Sequence, residues 1–128
     1  MAEKAVLDAS AVLAVLRGEA GADKVRPVYE GASISAVNFA EVASDCVERG
    51  MPGAEVRRLL EAQPLKVVPF EGDQIFEAAR LRRLTHHEGL SLGDRACLGL
   101  ARLCGLPAVT ADRAWRKLKL GIVIRIIR

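Results

Sequence analysis

The hydrophobic and polar positions along the chain form two kinds of segment. Short apolar runs end at a polar or turn-forming residue, which is typical of buried strands. Longer segments carry apolar residues at helical spacing, with charged residues between them. The sequence therefore predicts five strands, at residues 4–7, 32–36, 65–68, 106–110 and 122–127, and six helices, at residues 10–17, 19–29, 37–49, 53–62, 71–86 and 91–104.

The apolar positions also predict which helix faces are buried. Helices 10–17 and 91–104 are apolar nearly all round, so we expect both to be buried. Gly18 follows the first of them and is expected to be its C-cap. In helices 37–49 and 71–86 the expected inward side chains are Phe39, Val42, Ala43, Cys46 and Val47, and then Ile75, Ala78, Ala79 and Leu84.

The order of these elements predicts the fold class. Strands separated by helices need crossover connections, and these give a mostly parallel sheet. The strands are short and apolar, as expected where helices cover both faces of a sheet. No repeat, low-complexity tract or linker interrupts the pattern. We therefore expect a single α/β domain over residues 1–128, a three-layer α/β/α sandwich with a short, mostly parallel central sheet.

Composition excludes several classes of protein. With 51% hydrophobic residues and five prolines, the chain is not disordered. Its longest apolar run, residues 9–16, is much shorter than the ~20 residues of a membrane span, and no secretory cleavage site follows it. Cys46, Cys97 and Cys104 form no C-x-x-C pair, which argues against disulfides and structural zinc. We expect three small buried cysteine side chains in a cytoplasmic protein with no membrane association.

The charge is a mild indication of a nucleic-acid partner. The formal net charge is +3, and arginine greatly outnumbers lysine. Arginine suits bidentate phosphate contacts, although codon bias in a GC-rich genome explains the excess equally well. The distribution is more informative, because residues 113–128 contain six basic residues and no acid. Such a patch supplies the sequence-independent part of nucleic-acid affinity.

Four carboxylates are expected at one edge of the sheet. Asp8 follows the first predicted strand, and Asp112 follows the fourth. Glu41 and Asp94 lie near the starts of helices 37–49 and 91–104. Ligands of open parallel sheets bind beyond the carboxyl ends of the strands, where all four acids belong. They are far apart in the sequence, so only the fold would bring them together.

Each acid also has a local structural interpretation. Asp8 and Asp112 are candidate helix caps, and Asp94 completes a Ser-x-x-Asp capping box with Ser91. Glu41 fits a solvated helix face. Together these interpretations weaken, because four converging carboxylates repel each other unless a cation neutralises them. Oxygen ligands of this kind suit Mg²⁺ or Mn²⁺.

At this point the sequence resembles a known family. The segments Val-Leu-Asp8-Ala-Ser10-Ala, Asn38-Phe-Ala-Glu41-Val, Leu90-Ser-Leu-Gly-Asp94-Arg-Ala and Thr110-Ala-Asp112-Arg-Ala-Trp115 look like the four acidic motifs of PIN-domain nucleases. Length and layout look most like the toxin ribonucleases of VapBC-type toxin–antitoxin pairs. The resemblance covers residues 6–127.

The resemblance implies a PIN-like sandwich and Mg²⁺- or Mn²⁺-dependent endoribonuclease activity. It implies that Asp8, Glu41, Asp94 and Asp112 are the catalytic, metal-holding quartet, with Ser10 and Thr110 as supporting hydroxyls. Asp8, Asp94 and Asp112 would chiefly hold the ion, while Glu41 would position a water or act as base. The implied partners are an RNA substrate, a cognate antitoxin and a second toxin copy in a homodimer. Where some relatives carry a further acid after the last motif, this chain has Arg113 and Ala114, which puts a second metal in doubt.

Several residues and one other function stay open. Arg95, Arg113 and Arg116 are candidate RNA contacts, and ion-paired or solvated roles are equally compatible with them. Trp115 is a candidate for base stacking, although packing beside Leu118 and Leu120 is the simpler interpretation. The alternative function is a catalytically weak or inactive PIN-like binding module whose acidic pocket holds a partner's arginine. Metal-dependent cleavage of RNA separates the two functions, and the sequence does not name the RNA.

Overall fold

The computed structural model describes residues 4–128; residues 1–3 of the expected domain 1–128 lie outside the described range. In it, the strands and helices alternate as the sequence predicts, apart from shifts of one to three residues at their ends. The strands are β1 (Val6–Leu7), β2 (Ser33–Ser35), β3 (Lys66–Val68), β4 (Ala108–Thr110) and β5 (Ile124–Ile126). The helices are α1 (Ala9–Arg17), α2 (Ala22–Tyr29), α3 (Ala36–Glu48), α4 (Gly53–Glu61), α5 (Asp73–Leu84) and α6 (Leu92–Cys104), with 3₁₀ helices at His86–Glu88 and Arg113–Lys117.

The five strands form one sheet in the order β3-β2-β1-β4-β5, and every neighbouring pair is parallel. The predicted mostly parallel sheet is therefore confirmed. From the central strand β1 the chain first builds one side of the sheet through β2 and β3. It then builds the other side through β4 and β5. This reversal next to β1 opens a crevice at the carboxyl edge, where ligands of such sheets bind.

Two hydrophobic cores cover the two faces of the sheet. Leu7, Ile34 and Val109 face one core, which α1, α2, α3 and α4 complete. Val6 and Ala108 face the other core, which is completed by α5, α6 and the fully buried Trp115. Successive strand residues point to opposite faces, so β1 and β4 each contribute to both cores. The predicted three-layer sandwich is confirmed.

The end of α1 follows the prediction, whereas α5 is shorter than predicted. Gly18 adopts the left-handed conformation (φ 64°) and its N–H caps α1, as expected. The predicted helix 71–86 spans only Asp73–Leu84, because the Thr85 hydroxyl donates to the Leu81 carbonyl oxygen (2.6 Å) and a 3₁₀ turn follows. Across the described residues, no helix has the length and apolar character needed to cross a membrane.

Several predicted core positions are wrong, because α3 and α5 each bury a narrower face than their apolar pattern indicates. Val47 is 54% exposed and Ile75 44%, and Leu84 and Ala79 are also exposed. Of the predicted inward residues of α5 only Ala78 is buried; the helix also buries Glu77 and Leu81, since it packs mainly on α6.

The ends of α6 and the sheet edge are also more exposed than predicted. Leu92, Leu103 and Cys104 lie at the surface, so α6 is not buried all round and only Cys46 and Cys97 are buried thiols. In β3, Lys66 and Val67 are exposed because this strand is at the edge of the sheet.

Candidate active site

A cavity of about 220 Å³ opens at the carboxyl edge of the sheet, in the crevice beside β1. The starts of α1, α3 and α6 and the end of β4 meet there, because parallel strands all end at this edge. No basic side chain lines the cavity. Its lining residues are Asp8, Ala9, Ser10, Asn38, Glu41, Asp94 and Asp112. The structure therefore brings the four acids singled out in the sequence to one cavity.

Asp8 is the most buried of the four acids and is only 7% exposed. Ser10 Oγ donates to its Oδ1 (2.7 Å) and Thr110 Oγ1 donates to its Oδ2 (2.5 Å). The Ala11 N–H also donates to Oδ1 (3.0 Å), so Asp8 caps α1 as its local interpretation requires. Burial raises the pKa of Asp8 despite these hydrogen bonds, and the charge of Asp94 raises it further.

The two hydroxyls also connect β1 to the segment that follows β4. The Ala111 N–H donates to Ser10 Oγ (2.9 Å), and the Asp112 N–H donates to Thr110 Oγ1 (3.0 Å). Each hydroxyl thus accepts one backbone hydrogen bond and donates to one oxygen of Asp8. This arrangement fixes the position of Asp112 relative to Asp8 across the crevice.

Glu41 is held by a residue whose role the sequence analysis missed. Asn38 is 1% exposed, and its Nδ2 donates to Glu41 Oε1 (2.9 Å) and to the Gly93 carbonyl oxygen (2.9 Å). It therefore ties α3 to the start of α6. Burial raises the pKa of Glu41, the hydrogen bond from Asn38 lowers it, and the charge of Asp94 adds a smaller increase. The signal in the sequence was the three-residue spacing, which puts Asn38 and Glu41 on one helix face.

Gly93 is the second residue that the sequence analysis missed. A Cβ built at this position would overlap the Glu41 carboxylate, so any other residue here would displace that side chain from its observed position. The signal was a glycine inside the first turn of a helix, directly before Asp94, where alanine would be more favourable by about 1 kcal/mol.

Asp94 and Asp112 both make the local contacts foreseen as alternatives. Asp94 forms a capping box, with its Oδ2 accepting from the Ser91 N–H (3.0 Å). Asp112 Oδ1 accepts from the Ala114 N–H (2.9 Å) and caps the following 3₁₀ helix. In both cases no described residue donates to the second carboxylate oxygen. Capping and lining the cavity are therefore compatible, because one carboxylate has an oxygen for each.

The residues of this cavity fit a divalent cation whose coordination sphere is completed by water molecules. Among residues 4–128, no three acidic, histidine or cysteine side chains are grouped closely enough to hold an ion alone. Mg²⁺ commonly binds through one or two carboxylates and keeps several waters, so such a group is not required. Four carboxylates without a basic neighbour in the lining repel each other, and a cation would relieve this repulsion.

The predicted RNA contacts lie outside the cavity lining. Arg95 turns towards α5, where its Nη1 donates to the Ala78 carbonyl oxygen (2.9 Å). Arg113 Nε donates to the Arg128 carbonyl oxygen (2.8 Å), and Arg116 is exposed. Trp115 is fully buried, so the packing interpretation is correct and its ring is not available to a base.

The fold and the cavity define a class: a parallel α/β sandwich with an acidic cavity at its carboxyl edge. Residues 5–120 match the family described as "PIN domain". The chain belongs to the PIN domain family, which confirms the resemblance stated from the motifs.

Similar proteins agree with this assignment. The chain is 30% identical over 112 residues to the VapC ribonuclease Mb2780c of Mycobacterium bovis and to ribonuclease VapC42 of Mycobacterium tuberculosis, covering 80% of this chain and 86% of each relative. Among solved structures, VapBC2 from Rickettsia felis bound to a DNA fragment from its promoter has a TM-score of 0.76 at 14% identity, covering 98% of this chain and 99% of that one. A toxin–antitoxin complex from Klebsiella pneumoniae has a TM-score of 0.73 at 19% identity, covering 93% and 95%. At these identities the structural neighbours show the shared fold.

Proposed function

We propose that this protein is a Mg²⁺- or Mn²⁺-dependent endoribonuclease and the toxin of a toxin–antitoxin pair. The observation that supports it most is the convergence of Asp8, Glu41, Asp94 and Asp112 on one cavity of about 220 Å³. VapC ribonucleases among the relatives support the same activity. Asp8, Asp94 and Asp112 would chiefly hold the ion, and Glu41 would contribute at its edge.

When bound, such an ion would lower the pKa of a water molecule and offset the charge of the phosphodiester. The chain's own residues then have separate tasks. Glu41 Oε2 takes the proton of the attacking water, because Asn38 already occupies Oε1. Ser10 and Thr110 keep the Asp8 carboxylate in one orientation by hydrogen bonds to its two oxygens. Hydrolysis by water breaks the bond between phosphorus and the 3′ oxygen, which takes a proton from solvent, and so leaves a 5′-phosphate and a 3′-hydroxyl.

The test is cleavage of total RNA by the purified chain with Mg²⁺ or Mn²⁺, followed by mapping of the cut ends. We expect cleavage with either ion, its loss in EDTA and its loss in the Asp8→Asn and Asp94→Asn variants. Asp23→Asn is the matched control, because it removes the same charge from an exposed position on α2.

The variants must remain folded for this comparison. Asn is a good N-cap at position 8, and at position 94 its side-chain oxygen can still accept the hydrogen bond from the Ser91 N–H. Undiminished cleavage by folded Asp8→Asn in EDTA would contradict the proposal. An inactive wild-type chain that captures an arginine-rich peptide in this cavity would favour the binding module instead.

We further propose that the protein binds a cognate antitoxin and forms a homodimer. Structural neighbours described as VapBC and other toxin–antitoxin complexes support the first partner. The described surface also carries large apolar side chains suited to protein contacts, with Phe76 74% and Val123 64% exposed. Light scattering of the purified chain, alone and with the product of an adjacent gene, tests both partners.

A further inference from the structure

A basic cavity adjoins the acidic one. It measures about 630 Å³ and lies between the end of α5 and the start of α6. Arg82, Arg83 and His86 line it, and no carboxylate does. This cavity is therefore opposite in charge to the proposed active site, which has acids and no base in its lining.

The two arginines of this cavity have no partner within the described part of the chain. Neither Arg82 nor Arg83 forms an ion pair or a side-chain hydrogen bond there. Five other arginines form ion pairs: Arg17 and Arg49 with Asp45, Arg57 with Glu61, and Arg80 and Arg102 with Glu77. Two adjacent unpaired guanidinium groups on one concave surface are suited to an external anion, which they can bind through bidentate contacts.

A second cavity of about 290 Å³ extends the basic surface towards the C-terminal segment. It shares Thr85 with the first cavity and adds Lys117 and Lys119. Glu88 is its single acidic lining residue. The fold thus joins the basic segment 113–128, noted in the sequence, to the end of α5.

The basic surface is connected to the acidic cavity through two of its acids. Leu90 lines the basic cavity, and the N–H of the next residue, Ser91, donates to Asp94 Oδ2. Lys117 ends the short 3₁₀ helix that Asp112 caps, so the backbones of these two residues are about 10 Å apart at 2.0 Å per residue. An anionic polymer with a phosphate in the acidic cavity would therefore continue over the basic surface.

We propose that Arg82, Arg83 and His86, extended by Lys117 and Lys119, bind the phosphate backbone of the RNA next to the scissile bond. The inference rests on the proposed ribonuclease function and assigns part of its substrate-binding surface. The contacts are to phosphates, so this surface gives affinity and orientation and leaves sequence selection to other residues. This surface takes the role of RNA contact that the sequence analysis considered for Arg95, whose guanidinium is directed at α5.

The test is the salt dependence of RNA binding, measured by fluorescence anisotropy with a labelled single-stranded RNA of random sequence in EDTA. The Arg82→Gln/Arg83→Gln variant should bind on the order of tenfold more weakly. The slope of log Kd against log salt concentration should fall by about 1.4, because each single-strand phosphate contact contributes about 0.7. Lys117→Gln/Lys119→Gln should lower the slope in the same direction.

The matched control is Arg26→Gln/Arg58→Gln. It removes the same charge from exposed side chains on α2 and α4, the helices of the other layer, and neither has a described partner. This control should leave the slope unchanged, and Arg82→Lys/Arg83→Lys should restore most of the affinity. Equal slopes for Arg82→Gln/Arg83→Gln and Arg26→Gln/Arg58→Gln would overturn the proposal, because only net charge would then matter. The same result would be obtained if this surface served an acidic protein segment.

Failure of this inference is distinguishable from failure of the ribonuclease proposal. If the wild-type chain cleaves RNA but Arg82→Gln/Arg83→Gln and the control variant have equal slopes, only the basic surface is overturned. If Arg82→Gln/Arg83→Gln alone changes the slope but the wild-type chain cleaves no RNA, the surface is supported and the nuclease is overturned.

Discussion

Thr110 and Ser10 show how single hydroxyls shape the acidic cavity. Each donates to one oxygen of Asp8 and accepts from the backbone after β4. A buried carboxylate without such donors would be far less stable in its charged form. These small side chains therefore affect both the stability of the fold and the position of Asp8.

Thr110→Val tests this role, because valine has the same shape and no hydroxyl. It removes a donor to Asp8 and leaves the Asp112 N–H without its acceptor. We expect the free energy of unfolding to fall by about 1–3 kcal/mol. We also expect a larger loss of RNA cleavage than in Thr110→Ser, which keeps the hydroxyl. Urea unfolding and cleavage assays measure the two effects, and equal activity of both variants would show that the hydroxyl is dispensable.

Tyr29 gives a pH prediction away from the acidic cavity. It is the only tyrosine of the chain, it is 8% exposed, and its hydroxyl donates to Gln63 Oε1 (2.7 Å). Burial raises the pKa of Tyr29 from 10.0 to about 12. The neutral phenol is thus favoured in the folded state, so this contribution to stability is complete below pH 10 and is lost as pH rises towards 12.

Ultraviolet titration of tyrosinate absorbance measures this shift directly. We expect the tyrosinate absorbance to have its midpoint near pH 12 in the folded chain and near pH 10 in denaturant. If the chain unfolds below pH 12, the absorbance will rise earlier and more steeply. Tyr29→Phe should abolish the signal. A native midpoint near 10 would mean that the ring is solvated.

At the scale of elements, the sequence predicted which segments are helices and strands better than which side chains they bury. The periodicity of α5 indicates Ile75 and Leu84 as inward, yet the structure buries Glu77, paired with Arg80 and Arg102. A periodic pattern gives the apolar side of a helix, whereas the width of its contact depends on its neighbours. Because α5 packs mainly on α6, part of its apolar side is exposed.

The close approach of α3 and α6 gives a prediction at this scale. Gly93→Ala favours the helix locally by up to about 1 kcal/mol, but its Cβ overlaps the Glu41 carboxylate. We expect a folded chain in which Glu41 is displaced and cleavage falls by about 10²-fold. Gly53→Ala is the matched control, since a Cβ at the start of α4 meets open space. Activity equal to that of this control would show that Glu41 needs no fixed position.

At the scale of the whole molecule, the net charge of +3 is the sum of two unlike parts. Four of the sixteen acids line one cavity, and the remaining twelve face nineteen basic residues, which leaves +7 (19 − 12) elsewhere. The fold separates these charges, so a negative cavity lies within a basic body. Such a distribution suits a cation in the cavity and a polyanion around it.

Thermal unfolding tests the cation directly. Mn²⁺ or Mg²⁺ should raise the Tm of the wild-type chain, because an ion that binds only the folded state stabilises it by about 2.7 kcal/mol at 100 times its Kd. Asp8→Asn should have a smaller response, and Asp23→Asn should respond like the wild type. An identical shift in all three proteins would place the ion outside this cavity.

The sequence by itself determined the alternation of elements, the parallel sheet and the four acids expected at its carboxyl edge. These depend on local patterns, namely apolar periodicity, helix caps and the residue at each strand end. Only the tertiary structure decided which distant groups meet: Asn38 with the Gly93 carbonyl oxygen, Gly93 against Glu41, and the basic end of α5 beside segment 113–128. Contacts between distant segments depend on how closely helices pack across the sheet, and no local pattern encodes that distance.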